Sequence, residues 1–257
     1  MGQNAMATFR PLLALWDVDH TLIENSGISK DTYARAFERL TGRSVDHEIH
    51  TEGRTDPEIM LNMLTAHGIE PTTEHVARIP EALESSMSAN ASRLRERGYA
   101  LPGAHTTLEA LRDAPGVIQA PLTGNIRPNA FTKLSVFGLH AYLDFEVGAY
   151  GSDDHVRANL VGIARRRAAT KYNATFDTRS TILLGDTWRD VRAGRDGGAF
   201  VVAVASGSDS IDRLQAEGAD IVLPDLRDAQ SVVEAVTSVR HRPELGGCPI
   251  DSIAAIR

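Results

Sequence analysis

Residues 11–21 read PLLALWDVDHT, a short apolar run that meets two carboxylates, Asp17 and Asp19, at its C-terminal end. An apolar run of this length without alternation fits a strand buried on both faces, as in a parallel sheet. The shape recurs three times: 117–122 ends in Thr123, Gly124 and Asn125; 181–184 ends in Gly185 and Asp186; 200–205 ends in Ser206 and Gly207. Each recurrence is followed by a helical stretch, at 128–137, 188–195 and 210–217. Strand, polar turn and helix in repetition predict an α/β fold with a doubly wound, Rossmann-like parallel sheet. Ligands of such sheets bind beyond the carboxyl ends of the strands, so the polar turns face one crevice.

Residues 24–100 break that rhythm. Tyr33, Ala36, Phe37 and Leu40 fall on one helical stripe, and Ile59, Met63 and Leu64 on another. A third helical stretch covers 73–97, where Pro80 is expected to end or kink the helix. No strand is expected in this segment, and Gly98 and Pro102-Gly103 supply the turn chemistry for a return to the sheet. The expected organisation is a core of 1–23 and 101–239, an inserted helical cap at 24–100, and a C-terminal extension at 240–257. A further short strand is expected at 145–148, before a helix that starts near Arg157.

The 257 residues carry 27 Lys and Arg against 34 Asp and Glu, a formal charge of −7, so there is no basic footprint for nucleic acid or an anionic membrane surface. Every apolar run falls well short of the roughly 20 residues of a membrane helix. Cys248 is the one cysteine and cannot form an internal disulfide, and residues 1–9 lack the apolar stretch of a signal peptide. A cytoplasmic protein with no nucleic-acid or membrane partner is expected.

Asp17 and Asp19 can serve as a catalytic pair or as loop acids that cap the next element. Gly185-Asp186-Thr187-Trp188-Arg189-Asp190 brings two more carboxylates to a strand end. Four carboxylates in one crevice repel unless a cation neutralises them, and oxygen donors suit Mg²⁺. Asp190 equally fits charge compensation at a helix N-terminus. Thr123-Gly124-Asn125 offers neutral donors for an oxyanion, or a plain turn.

Taken in order, Asp17, Asp19 and Thr21 as DxDxT, Thr123 at a later strand end, and Asp186 and Asp190 as GDxxxD resemble the haloacid dehalogenase-like (HAD) hydrolase superfamily. The resemblance spans about 12–237 and points to the phosphoglycolate phosphatase-like and β-phosphoglucomutase-like branch. It implies Mg²⁺-dependent hydrolysis of a small organic phosphomonoester through an aspartyl-phosphate. Asp17 would be the nucleophile and Asp19 the acid and base. The metal would sit on Asp17, the Asp19 carbonyl and Asp186, with Asp190 close by. Thr123 would stabilise the transferring group, and Thr21, Gly124, Asn125 and Arg54 would bind substrate. The Thr51–Asp56 turn, with Gly53 for close approach, would carry Arg54 towards a second anionic group, while Thr55, Asp56 and Pro57 also read as a helix start.

Two departures stand out. His20 replaces the usual glycine and reads as a tolerated loop side chain. The usual lysine is missing from the stretch before Asp186, and Arg157 takes its place, keeping the charge and offering a fork for phosphate oxygens. Lys133 is the alternative for that lysine, although in the middle of the preceding helix it reads more readily as a solvated surface charge. Asp153 and Asp154 read as N-caps for the helix that carries Arg157. A β-phosphoglucomutase-like phosphomutase and a non-catalytic phosphometabolite-binding protein are the alternative functions.

Overall fold

The computed structural model describes residues 10–51 and 53–241. Cys248 and all of the extension from residue 242 lie outside the described residues, as do residues 1–9 and Glu52. β1 (Leu12–Trp16), buried at every position, lies inside a six-stranded sheet. Its neighbours are β4 (Val117–Thr123) and β6 (Thr181–Gly185), and beyond them stand β5 (Ala149–Tyr150) on one side and β7 (Phe200–Val204) and β8 (Ile221–Leu223) on the other. All pairings are parallel, in the order β5-β4-β1-β6-β7-β8.

Alternation along β1 sorts the core into two layers. Leu12, Ala14 and Trp16 pack with α4 (Ala104–Asp113) and α9 (Ala229–Ser238). Leu13 and Leu15 pack on the other face with α6 (Arg157–Tyr172) and Ala193 of α7 (Trp188–Asp196). α8 (Ile211–Ala216) joins through Leu214 to Val201 and Ala203 of β7. α5 (Arg127–Val136) follows β4. Because successive strands run outward from β1 in both directions, the carboxyl ends of β4, β1 and β6 adjoin where the winding reverses. No helix among the described residues is long and apolar enough to cross a membrane.

The insert comprises α1 (Ile28–Thr41), α2 (Asp56–Ala66) and α3 (Thr73–Arg97), which share a core of Phe37, Ile59, Met60 and Leu83 with Ile126 of the sheet domain. Two sequence expectations change here. α3 does not end at Pro80 but continues to Arg97: a proline inside a helix costs about 3 kcal/mol, and the burial of Ile79, Ala82 and Leu83 against α1 and α2 offsets it. The segment also holds strand structure, because β2 (Ile23–Glu24) and β3 (Tyr99–Ala100) pair antiparallel and tie the two ends of the insert together.

Candidate functional site

Three strand ends open onto one cavity of about 460 Å³, lined by Asp17, Asp19, Thr123, Asn125, Arg157 and Asp186. Arg54, Lys30 and Tyr33 close it from the insert side. Asp17 lies one residue past β1, its N–H donating to the Leu184 carbonyl at 2.8 Å, so the strand ladder fixes its backbone.

Asp17, Asp186 and Asp190 are buried and each presents an oxygen within 4.8 Å of the others. Arg157, in the first turn of α6, donates to Asp17 Oδ1 at 2.7 Å and also pairs with Asp190. Asp190 Oδ2 accepts from the Thr187 N–H at 3.0 Å and its hydroxyl at 2.6 Å, forming the capping box of α7. The helix-terminal reading of Asp190 therefore holds, with its other oxygen turned to Arg157. Asp186 Oδ1 accepts from the Thr21 hydroxyl at 2.9 Å, and a Cβ at Gly207 would stand 1.8 Å from Asp186 Oδ2, so only glycine fits there. Thr21 is wholly buried behind Asp186, and its hydroxyl steadies that carboxylate instead of reaching the cavity wall.

Burial pushes Asp17 up to about 7; Arg157 opposes the rise, and Asp190 and Asp19 add to it. Asp186 is likewise raised by burial, then by Asp17 and Asp190. Three buried carboxylates around one guanidinium leave an excess of negative charge in a medium of low dielectric, a mismatch that a divalent cation removes. The donors are all oxygen, the set that Mg²⁺ favours, so the residues fit that ion.

Asp19, two residues on, has the opposite environment. Lys133 Nζ donates to its Oδ1 at 2.9 Å and Oδ2 at 2.7 Å, and to Asn125 Oδ1 at 2.7 Å. Asn125 Nδ2 donates to Asp19 Oδ2 and Asn25 Nδ2 to Asp19 Oδ1, both at 2.8 Å. Burial alone would raise Asp19, but Lys133 and Asn125 outweigh it and hold the carboxyl at about 2. The reading of Lys133 as a solvated charge is thereby corrected: its side chain is 1% exposed. The helical period carries the signal that its charge obscured, since Asn129, Ala130, Lys133 and Leu134 form the buried face of α5.

Thr123 Oγ1 accepts from the Asn125 N–H at 3.3 Å and from Nδ2 at 2.8 Å, which leaves its own proton for a ligand oxygen. A Cβ on Gly124 would lie 2.1 Å from the Arg54 carbonyl, so the insert loop sits directly on this turn. Asp56, in the first turn of α2, locks the contact. Its N–H donates to the Gly124 carbonyl at 2.7 Å, and its carboxylate accepts from the Ile126 N–H at 2.8 Å and the Tyr33 hydroxyl at 2.6 Å. Thr55 caps α2 as the sequence suggested, whereas the reach of Asp56 into the core loop left no sequence signal beyond that helix start. Arg54 lines the cavity and pairs with Glu58 at 3.4 Å.

His20 adopts φ 62°, the left-handed region that explains a glycine preference at this place, and its Nδ1 lies 2.9 Å from Glu24 Oε2. Asp153 and Asp154 do not cap α6, whose N-cap position is Val156. Asp153 binds the Tyr150 N–H and the Arg167 guanidinium, and Asp154 binds the Val156 N–H and Asn159.

A family model described as HAD-hydrolase-like matches residues 160–229. No curated protein matches the chain. Among solved structures, a hydrolase from Pseudomonas syringae superposes with TM-score 0.64 at 21% identity, covering 87% of this chain and 98% of its own. β-Phosphoglucomutase from Clostridium difficile gives TM-score 0.68 at 14% identity, covering 90% of this chain and 100% of its own. CbbY from Rhodobacter sphaeroides, solved in complex with phosphate, gives 0.64 at 18% identity, covering 85% and 96%. A model described as HAD-hydrolase-like thus covers residues 160–229, Asp186 and Asp190 among them, and the solved structures share the fold over most of the chain.

Proposed function

We propose that the chain hydrolyses the phosphomonoester of a small metabolite with Asp17 as nucleophile. The reading rests on the convergence of Asp17, Asp186 and Arg157 on a cavity that Thr123, Gly124 and Asn125 also line, with an Asp190 oxygen within 4.8 Å of those of Asp17 and Asp186. An Asp17 oxygen attacks phosphorus in line, the bond to the leaving alkoxide breaks, and the alkoxide takes a proton from Asp19. Water then attacks the aspartyl-phosphate and gives a proton to Asp19, and phosphate departs with Asp17 restored as carboxylate. Arg157 orients Asp17, while the Thr123 hydroxyl and the backbone of Gly124 and Asn125 receive the phosphoryl oxygens. Asp17, the Asp19 carbonyl, Asp186 and Asp190 are the residues that would hold Mg²⁺, which when bound offsets the charge of carboxylates and phosphoryl group and polarises the latter.

The cycle begins and ends with a proton on Asp19, whereas Lys133 holds Asp19 ionised in the structure. Loading that proton therefore requires the Lys133 pair to loosen when substrate binds. The insert loop on Gly124 leaves room for a small leaving group and excludes a macromolecular one.

A panel of alkyl, aryl and sugar phosphates with Mg²⁺ tests the reading. Free phosphate should be released, and Asp17→Asn should lower the rate by at least about a thousandfold. Isomer conversion without free phosphate would make the chain a phosphomutase. Binding of phosphate analogues without any turnover would make it a phosphometabolite-binding protein.

A further inference from the structure

The turn that follows β4 contains two successive peptide planes, and the insert fixes both. The Gly124 carbonyl accepts from the Asp56 N–H at 2.7 Å, one of the first-turn N–H groups that α2 itself leaves unbonded. A trans peptide sets its C=O and N–H in opposite directions, so that bond turns the Asn125 N–H away from the insert, towards Thr123 Oγ1 at 3.3 Å. In the next plane the Asp56 carboxylate accepts from the Ile126 N–H at 2.8 Å, while the Asn125 carbonyl accepts from the Gly151 N–H at 2.9 Å. The Asn125 side chain, carried between the two planes, reaches Asp19 and Lys133.

Holding the insert to the sheet domain does not call for a carboxylate. Ile126 already buries its side chain with Phe37, Ile59 and Leu83 of the insert, and exchanging both partners of a buried hydrogen bond for apolar groups of the same shape can leave stability unchanged or higher. Burial pushes Asp56 up to about 6, so Lys133, the Tyr33 hydroxyl and the Ile126 N–H do not fully offset its desolvation. What the carboxylate adds is direction. Tyr33 donates to its Oδ1 at 2.6 Å, which leaves Oδ2 aimed at the Ile126 N–H. Burial, and then Asp56 itself, raise the Tyr33 hydroxyl well above its usual range, so it remains a donor. The turn has little slack: a Cβ at Gly151 would stand 2.0 Å from the Gly124 carbonyl oxygen and 2.9 Å from Thr55 Cβ.

We propose that Asp56, oriented by Tyr33, is a positioning residue of the phosphoryl-transfer site: it sets the two peptide planes of the Gly124-Asn125-Ile126 turn, so that the insert, and not the sheet domain alone, completes the donors that meet the phosphoryl oxygens. The inference rests on the phosphatase reading for what the turn receives. A rotated plane would swing the Asn125 N–H off those oxygens and draw the Asn125 side chain from Asp19. Such donors act through their placement, and a displacement of about 1 Å can cost about a hundredfold in rate. Neither Tyr33 nor Asp56 belongs to the motifs that define the site, and each comes from a different helix of the insert.

The test compares the full chain with its Asp56→Ala, Asp56→Asn and Tyr33→Phe variants. Amide exchange by NMR reads the turn without any ligand: in Asp56→Ala the Ile126 N–H should exchange at least about tenfold faster, and the Asn125 N–H resonance should move. Binding of inorganic phosphate and of orthovanadate with Mg²⁺, together with kcat and KM on an ester that the chain hydrolyses, reads the consequence. Asp56→Ala should weaken vanadate, which takes the five-coordinate geometry of the transferring group, about tenfold more than phosphate, and should lower kcat about 10- to 100-fold with KM within about threefold. Asp56→Asn keeps an acceptor for the Ile126 N–H and should restore each quantity to within about threefold of the unmodified chain, with Tyr33→Phe in between. A merely structural loss would lower the folded fraction without parting vanadate from phosphate. Should Asp56→Ala not fold, the same split in Tyr33→Phe decides. An unchanged vanadate-to-phosphate ratio, or Asp56→Asn as impaired as Asp56→Ala, overturns the proposal and leaves the phosphatase reading standing. If the unmodified chain neither hydrolyses an ester nor tells vanadate from phosphate, the phosphatase reading fails instead, and the Asn125 and Ile126 amides alone decide whether Asp56 sets the turn.

Discussion

Asp17 and Asp19 leave the same strand, lie two residues apart and are both drawn into the same cavity, yet one carboxyl is pushed up to about 7 and the other held at about 2. Depth separates them only a little: the Asp17 side chain is 10% exposed and that of Asp19 23%. What differs is the share of positive charge: Asp17 divides one guanidinium with Asp190 and faces Asp186, whereas both oxygens of Asp19 take a single ammonium that bonds no other carboxylate. Electrostatic role in such a site is thus set by the local ratio of cations to carboxylates more than by burial. The pole short of positive charge is the one with donors for a metal; the pole already neutralised has none to spare.

The sharpest way to break this comparison is to remove each cation in turn. Arg157→Met and Lys133→Met should each destabilise the metal-free chain by about 3 kcal/mol, the usual cost of leaving one partner of a buried pair alone. They should part company on adding Mg²⁺. Unfolding by urea should show recovery for Arg157→Met, where the ion takes over the charge of Asp17, Asp186 and Asp190, and none for Lys133→Met. Equal recovery would mean that the two poles are not electrostatically distinct.

The pH dependence of stability sharpens the same contrast. With Asp17 raised from 3.8 to about 7 and Asp56 to about 6, the folded chain binds protons more tightly than the unfolded chain over that interval. Metal-free stability should therefore fall as pH rises from about 4 to about 7. Asp19, lowered to about 2, acts in the other sense: its contribution is present above 3.8 and is lost as pH falls towards 2. Denaturation across this range should give a neutral limb that Mg²⁺ or Asp17→Asn flattens. A slope indifferent to both would show that the burial of Asp17 is relieved in solution.

A smaller effect concerns the leaving group. If Lys133 governs when Asp19 yields its proton, Lys133→Met should change kcat for alkyl phosphates, whose alkoxide needs that proton, about 10- to 100-fold more than for aryl phosphates, whose phenolate does not. A merely structural loss would lower both alike.

How much of this was open to sequence reading follows from which forces are local. β1 announces itself because an unbroken apolar run that stops at acids has few other uses, and the ends of β4 and β6 repeat it. The expected strand at 145–148 lies instead at Ala149–Tyr150: the Asp144 carboxylate turns the chain by accepting the Glu146 N–H at 3.0 Å, and pairing begins only where the backbone meets Leu122 and Thr123. β8 and the two-residue pairing of β2 with β3 are too short for any period to show. Pro80 and Lys133 share a different cause. Each looks unfit for a buried helix by residue type, and each is held there by partners remote in sequence: the Phe37 and Ile59 core around Pro80's neighbours, and Asp19 for Lys133. The carboxylates were legible as a set, and the division of cations among them was not, because it depends on α5 and α6 entering from opposite sides of the turn that follows β1.

His20 offers the finest probe of that division, for it borders Asp19 and is the last of the charges that lower its pKa. Its left-handed backbone, φ 62°, costs any residue with a Cβ about 1 kcal/mol that glycine escapes, although glycine gives some of this back through a freer unfolded chain. The contact of its Nδ1 with Glu24 at 2.9 Å and the bond from Ser206 Oγ to its carbonyl at 2.6 Å help hold that conformation. His20→Ala keeps the strain and loses the imidazole contact, so it should be the less stable of two variants, below His20→Gly by about 1 kcal/mol in urea unfolding. His20→Gly itself should stay within about 0.5 kcal/mol of the unmodified chain. Since Lys133 supplies most of the charge on Asp19, neither variant should alter the contrast between alkyl and aryl phosphates; if His20→Gly did, the imidazole would have to be counted with the ammonium as a cation of the Asp19 pole.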